Sequence, residues 1–152
     1  MSEAAICEYL NVTAALIPSG GRLFVAQRPP WKRYGHLWEF PGGKVEKGEG
    51  FQESLVREIE EELCLRIAAT DLFRTISYHE NNSAIHLHAY WCVISGGQFC
   101  LREHVAFRWA KISELRGIAL TTIDRLLVPF LEILTTLPRN PRQINPCMRA
   151  QP

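Results

Sequence analysis

At 152 residues and 47% hydrophobic content, the chain is the size of one domain with enough apolar material for a core. Its 17 basic and 16 acidic side chains leave a formal charge of +1, which excludes the marked basic excess of a surface built for nucleic-acid polymers. A small anionic ligand remains open.

From the N-terminus, MSEAAICEYL lacks the basic n-region and long apolar h-region of a signal peptide, so a cytoplasmic protein is expected. Two apolar, β-branched runs follow at 9–17 and 22–28, joined by Ser19-Gly20-Gly21, which predicts a hairpin. Residues 29–36, PPWKRYGH, predict a loop, and Leu37 to Phe40 a short strand stopped by Pro41-Gly42-Gly43. The period then changes. From about Gly50 to Cys64, Leu55, Val56, Ile59 and Leu63 fall within about 100° of one another on a helical wheel, with Glu58, Glu61 and Glu62 on a separate arc.

Residues 66–79 and 84–95 predict two strands across the turn Glu80-Asn81-Asn82-Ser83, and 105–110 a further short one. The stretch 81–101 lacks Asp, Glu, Lys and Arg, but polar residues interrupt it too often for a membrane span, so no membrane partner is expected. A second helix should open at Thr121 or Thr122, where Thr121-x-x-Asp124 is similar to a capping box, and run toward Leu137 with a kink at Pro129. Beyond it, residues 138–152 carry prolines and arginines and read as a flexible tail after a single domain at 1–137. Cys7, Cys64, Cys92, Cys100 and Cys147 are odd in number and free of any CxxC pair, which predicts reduced thiols and neither a disulfide framework nor a zinc site. The fold class expected is α/β (α+β), helices flanking a mixed, largely antiparallel sheet.

The chemistry concentrates in the first helix. Glu49, Glu53, Glu58, Glu60, Glu61 and Glu62 crowd 14 residues of sequence, and like charges at helical spacing cost roughly 0.2–0.5 kcal/mol per pair. Glu58, Glu61 and Glu62 follow i, i+3, i+4 spacing, which gathers their oxygens into one patch. Hard oxygen ligands without Cys or His select Mg²⁺, with Mn²⁺ able to substitute, and Mg²⁺ favours sites completed by phosphate oxygens. The competing reading is a solvated acidic face. Against it stand Glu49 near the helix N-terminus, Arg57 placed to pair with Glu53 or Glu61, and Gly42-Gly43, whose backbone can approach a cation.

Gly43-x5-Glu49-x7-Arg57-Glu58-Ile59-x-Glu61-Glu62-x-Cys64-Leu65 resembles the Nudix box, G-x5-E-x7-R-E-U-x-E-E-x-G-U, with U a bulky aliphatic residue. The one departure is Cys64 in place of glycine at the helix exit. The resemblance implies an α/β/α sandwich and hydrolysis of a pyrophosphate bridge in a nucleoside diphosphate linked to another group. It implies Glu58, Glu61 and Glu62 as metal ligands, a backbone carbonyl at Gly42 completing the set, Glu49 as a supporting ligand or orienting group, and Arg57 as organiser, with Glu58, Glu61 and Arg57 in the catalytic machinery.

LWEFPGGK at 37–44, Arg28 and Glu103-His104-x-Ala106-x-x-Trp109 extend the likeness to the MutT-type branch. This implies a nucleoside triphosphate converted to monophosphate and diphosphate, with 8-oxoguanine, cytosine or 5-methylcytosine as the base. In that likeness Arg28 contacts phosphate, Lys44 lies at the substrate, Glu103 serves the metal cluster as ligand or base, and Asp124 reads the base edge. Each also has a plainer reading: Arg28 a strand-end cation, Glu103 loop surface, Phe40 core instead of a stacking platform, Asp124 a helix cap. The histidines at 79, 86, 88 and 104 are expected to be structural, since none has a ligand-spaced partner. ADP-ribose or dinucleotide hydrolysis, or a non-catalytic nucleotide-binding module, are the alternatives. The partner expected is a small nucleotide, and the protein a monomer or homodimer.

Overall fold

The computed structural model describes residues 8–80 and 82–136. Its elements are β1 (Glu8–Leu16), β2 (Pro18–Ser19), β3 (Arg22–Gln27), β4 (Trp38–Glu39), α1 (Phe51–Leu63), β5 (Leu65–Glu80), β6 (Ser83–Gly97), β7 (Ala106–Lys111), a 3-10 turn at Ile112–Gly117, α2 (Thr122–Arg125) and α3 (Val128–Thr136). They form a mixed α+β domain. One sheet has the order β1-β6-β5, with β1 parallel and β5 antiparallel to β6; in the other, β3 pairs antiparallel with β2, β4 and β7.

The runs AALI and LFVA are apolar without alternation because both faces of these strands are covered. Ala14, Leu16, Leu23 and Val25 face one core with Leu87, Leu115, Leu127 and Leu131, while Ala15, Ile17, Phe24 and Ala26 face a second with Leu55, Ile59 and Leu63 of α1. Helices on both sides make the sandwich. The apolar stripe of α1 is buried as its spacing requires, Leu55, Ile59 and Leu63 completely and Val56 in part.

Four expectations are corrected. The runs at 9–17 and 22–28 do not form a simple hairpin: only Pro18–Ser19 pairs with β3, while β1 crosses to run parallel to β6. Parallel pairing with a strand some 75 residues later leaves no local signal. The second helix divides into α2 and α3, and Pro129 stands in the first turn of α3, where its missing N–H costs nothing, so it starts a helix instead of kinking one. The 3-10 turn was not anticipated. Cys64 and Cys100 are joined as a disulfide, Cα atoms 5.6 Å apart, although 36 residues separate them in sequence. Cys92 is free and buried, and Cys7, Cys147 and the tail at 138–152 lie outside the described residues. Among the described residues no helix is long and apolar enough to cross a membrane.

Candidate active site

The segment leading into α1 is fixed first. Residues 41–45 lie along β1 through bonds from Ala15 N–H to Pro41 O (2.8 Å), Thr13 N–H to Gly43 O (2.8 Å) and Val45 N–H to Asn11 O (2.9 Å). A Cβ at Gly42 would run into the Thr13 carbonyl, and one at Gly43 into the Glu58 carboxylate. Glycine here is a requirement of close approach.

Arg57 is the hub of the acidic patch. Its Nε and Nη2 donate to the two oxygens of Glu49 (2.6 and 3.0 Å), Nη1 to Glu58 (2.9 Å) and Glu61 (3.2 Å), and Nη2 also to the Lys44 carbonyl (3.2 Å). This fork geometry orients carboxylates that would otherwise repel one another. Glu49, which also accepts the Glu46 N–H, is held down at a pKa of about 2 chiefly by Arg57. Of the two partners expected for Arg57, Glu61 pairs and Glu53 does not, because Glu53 accepts the Gly50 N–H and so caps the helix start.

Glu62 is the opposite case. It is buried, its Oε2 has no hydrogen-bond partner, and burial first, then the charges of Glu39, Glu58 and Glu103, lift its pKa to about 9. Burial also raises Glu58, against the pull of Arg57 and with Glu61 and Glu103 adding repulsion. An orphaned buried carboxylate oxygen beside further carboxylates marks a place short of positive charge. The donors are all hard oxygens, which fits Mg²⁺ or Mn²⁺. Among the described residues, however, no group of three acidic, histidine or cysteine side chains stands close enough to hold a cation as placed. The Arg57 guanidinium bridges Glu58 to Glu61, and Glu103 is paired with Lys32 (2.8 Å).

Beside the patch lies a cleft of about 350 Å³, lined among others by Arg28, Glu39, Phe40, Lys44, Thr121 and Asp124. Its far end is assembled by backbone pairing: Trp38 N–H donates to Ala119 O and Thr121 N–H to Trp38 O (both 2.8 Å), which sets the start of α2 against β4. Thr121 Oγ1 donates to the Asp124 carboxylate and accepts the Asp124 N–H (3.4 Å), so the capping geometry is present. Asp124 nonetheless lines the cleft. Burial, reinforced by Glu39, lifts its pKa to about 8, so near neutral pH it is a hydrogen-bond donor as well as an acceptor.

Arg28 is occupied, donating to Glu39 Oε2 (2.8 Å) and to the Arg33 carbonyl (2.8 Å). Phe40 is only 3% exposed and belongs to the core, in line with its plainer reading, while also forming part of the cleft lining. Glu39 is the residue the sequence reading passed over. It joins Arg28 to the buried His104 (Nε2 to Oε1, 2.9 Å) and acts electrostatically on both Glu62 and Asp124. Its place inside LWEFPGGK, between two aromatic residues, was the available signal. Arg33 and Tyr34 were also missed; both reach Glu80 at the cleft wall (2.9 and 2.5 Å).

A profile for the NUDIX domain matches residues 9–131. The chain is 34% identical over 128 residues to the CTP pyrophosphohydrolase of Escherichia coli, covering 84% of this chain and 93% of that protein. It is 34% identical over 115 residues to the putative 8-oxo-dGTP diphosphatase 2 of Mycobacterium tuberculosis, covering 75% and 82%. Among solved structures, that of the Escherichia coli ORF135 protein superposes with a TM-score of 0.77 at 30% identity, covering 91% of this chain and all of that one.

Proposed function

The chain belongs to the NUDIX domain family and is a Nudix hydrolase, and from that premise we propose that it cleaves nucleoside triphosphates to the monophosphate and diphosphate with the help of Mg²⁺. The observation that carries this reading is the orphaned oxygen of Glu62, among the charges of Glu39, Glu58 and Glu103, next to a cleft of about 350 Å³ whose lining includes Gly43, the residue that packs against the Glu58 carboxylate. A divalent cation bound there would neutralise phosphate oxygens and acidify the attacking water. Glu58, Glu61, Glu62 and Glu103, with the Gly42 carbonyl, are the groups that would hold it.

The chain's own residues set the rest. Arg57 holds Glu49, Glu58 and Glu61 in one patch before substrate arrives, and a cation bound there would replace its hold on Glu58 and Glu61 while the two-pronged bond to Glu49 stays. Arg28 and Lys44 face the cleft with the positive charge a polyphosphate needs. Water adds to one phosphorus, its proton passes to a carboxylate of the patch, and diphosphate leaves.

For the base, we favour cytosine or 5-methylcytosine. A protonated Asp124 can donate to a ring nitrogen or carbonyl while its other oxygen accepts from an exocyclic amino group, the pattern that cytosine offers on one edge. The CTP pyrophosphohydrolase is matched over nearly its whole length. 8-Oxo-dGTP is the second reading, supported by the name of the mycobacterial relative.

A panel of CTP, dCTP, 5-methyl-dCTP, 8-oxo-dGTP, the ordinary NTPs, ADP-ribose and dinucleotides with Mg²⁺, ranked by kcat/KM and assayed for diphosphate, tests both levels. The expected result is diphosphate release with a cytosine nucleotide first. Preference for ADP-ribose would overturn the triphosphate reading; preference for 8-oxo-dGTP would overturn only the base.

A further inference from the structure

Cys64, which stands where the box has glycine, closes α1 in a left-handed conformation, φ 58° and ψ 22°. A residue with a Cβ sustains that conformation only at a steric cost that glycine does not have. The Cβ is used here: it carries the sulfur bonded to Cys100. The Cα separation of 5.6 Å falls within the roughly 4.4–6.8 Å that a disulfide spans without backbone movement. Both residues are half-buried, within reach of a small thiol. Cys92 is the contrast, buried without a partner, its thiol pushed up to about 12 by burial.

The location gives the pair its consequence. The 98–105 segment caps the end of α1, with Cys100 N–H donating to Leu63 O and Arg102 N–H to Glu62 O (both 3.0 Å), carbonyls the helix leaves open. The next residue is Glu103, whose charge acts on Glu58 and Glu62. On its far side the segment is held by Val105 N–H to Gln27 O (3.0 Å).

We propose that Cys64 and Cys100 are a redox-active pair, a reversible modification site whose disulfide fastens the Glu103 segment to the end of the acidic helix and whose reduction releases it. The chemistry is exchange with a low-molecular-weight disulfide such as oxidised glutathione. One cysteine thiolate attacks it, forming a mixed disulfide and expelling one glutathione thiol; the second cysteine displaces the other. Two electrons and two protons pass from the cysteines to two glutathione molecules, and reduced glutathione reverses the step. That this tunes hydrolysis rests on the function proposed above; the pairing itself does not.

The test equilibrates the full chain in oxidised or reduced glutathione, then maps cysteines by alkylation, digestion and mass spectrometry, with amide hydrogen exchange on the same samples. A peptide linking Cys64 to Cys100 is expected in the oxidised sample only. Exchange at Cys100, Arg102 and Val105 should be about tenfold slower there, since the link suppresses local opening. Cys100→Ser and Cys64→Gly should exchange alike in both buffers. Absence of the linked peptide, equal exchange of the unmodified chain in the two buffers, or a Cys100→Ser response like that of the unmodified chain would each overturn the proposal. Diphosphate release is followed in parallel: if it is absent in both buffers the hydrolase reading fails, while the peptide map and exchange still decide the cysteine pair.

Discussion

At one end of the site, Glu49, Arg57, Glu58, Glu61 and Glu62 come from a single stretch at 49–62, and Arg57 ties three of them together. At the other end, Arg28 directly follows β3 and Glu39 lies on its paired strand β4, while Asp124 comes from far along the chain, brought to them by the pairing of Trp38 with the strand-like residues before α2. The local end is ordered by one cation against many anions. The assembled end is ordered by burial, and its acid is kept protonated. Glu39 stands electrostatically between them, raising both Glu62 and Asp124. A polyphosphate needs a charged, metal-ready end, and a base needs a dry end with directional donors.

The largest effect should come from the local end. Glu62→Gln keeps shape and removes charge, and kcat should fall on the order of 10²–10³-fold while the metal-free protein becomes more heat-resistant. The sign follows from Glu62 being raised from 4.5 to about 9. Stability it contributes is fully present below pH 4.5 and is lost progressively as pH rises toward about 9, because folding at pH 8 must take up the proton that keeps the buried carboxyl neutral, a cost that glutamine does not carry. Calorimetry without metal at pH 5 and 8 checks this; a variant less stable at pH 8 would break the contrast. Arg57→Lys comes next. Lysine cannot replace the two-pronged bond to Glu49, and activity should fall about 10–100-fold, as for residues that orient ligands. Steady-state kinetics at saturating Mg²⁺ decides it.

At the assembled end the effects should be smaller and read out in pH. Asp124 titrates near 8, so KM for the preferred nucleotide should rise above pH 8 as the donor is lost, with kcat changing less. Asp124→Asn, which keeps a donor and an acceptor, should flatten that rise. Identical pH profiles for the two proteins would remove Asp124 from base recognition. Smallest of all, Thr121→Ala should cost about 1 kcal/mol of stability through the lost cap, measured by denaturant unfolding.

What was legible in the sequence follows the same division. The apolar stripe of α1 and the order of its glutamates depend on spacing within a few residues, and local geometry reproduces the stripe, whereas the glycines at 42 and 43 were legible as permissive but what they approach, Thr13 and Glu58, is set by the fold. Glu39 went unnoticed because its partners, Arg28, His104 and Asp124, lie as far as 85 residues away. Phe40 left core and stacking platform both open in the sequence, and the structure buries it to 3% exposure in the core that underlies the cleft.

The sequence by itself determined the helix, the composition of its charged face and the family, since each is a matter of residue type at fixed short separation. Only the tertiary structure decided that β1 leaves its neighbour to run beside β6, that Cys64 meets Cys100, and that Glu62 is buried without a partner while Glu61 stays in solvent. The physical reason is that pairing register, burial and charge-to-charge distance are properties of segments brought together by the core, so that of two adjacent glutamates one is buried and pushed up by what packs against it while the other stays exposed.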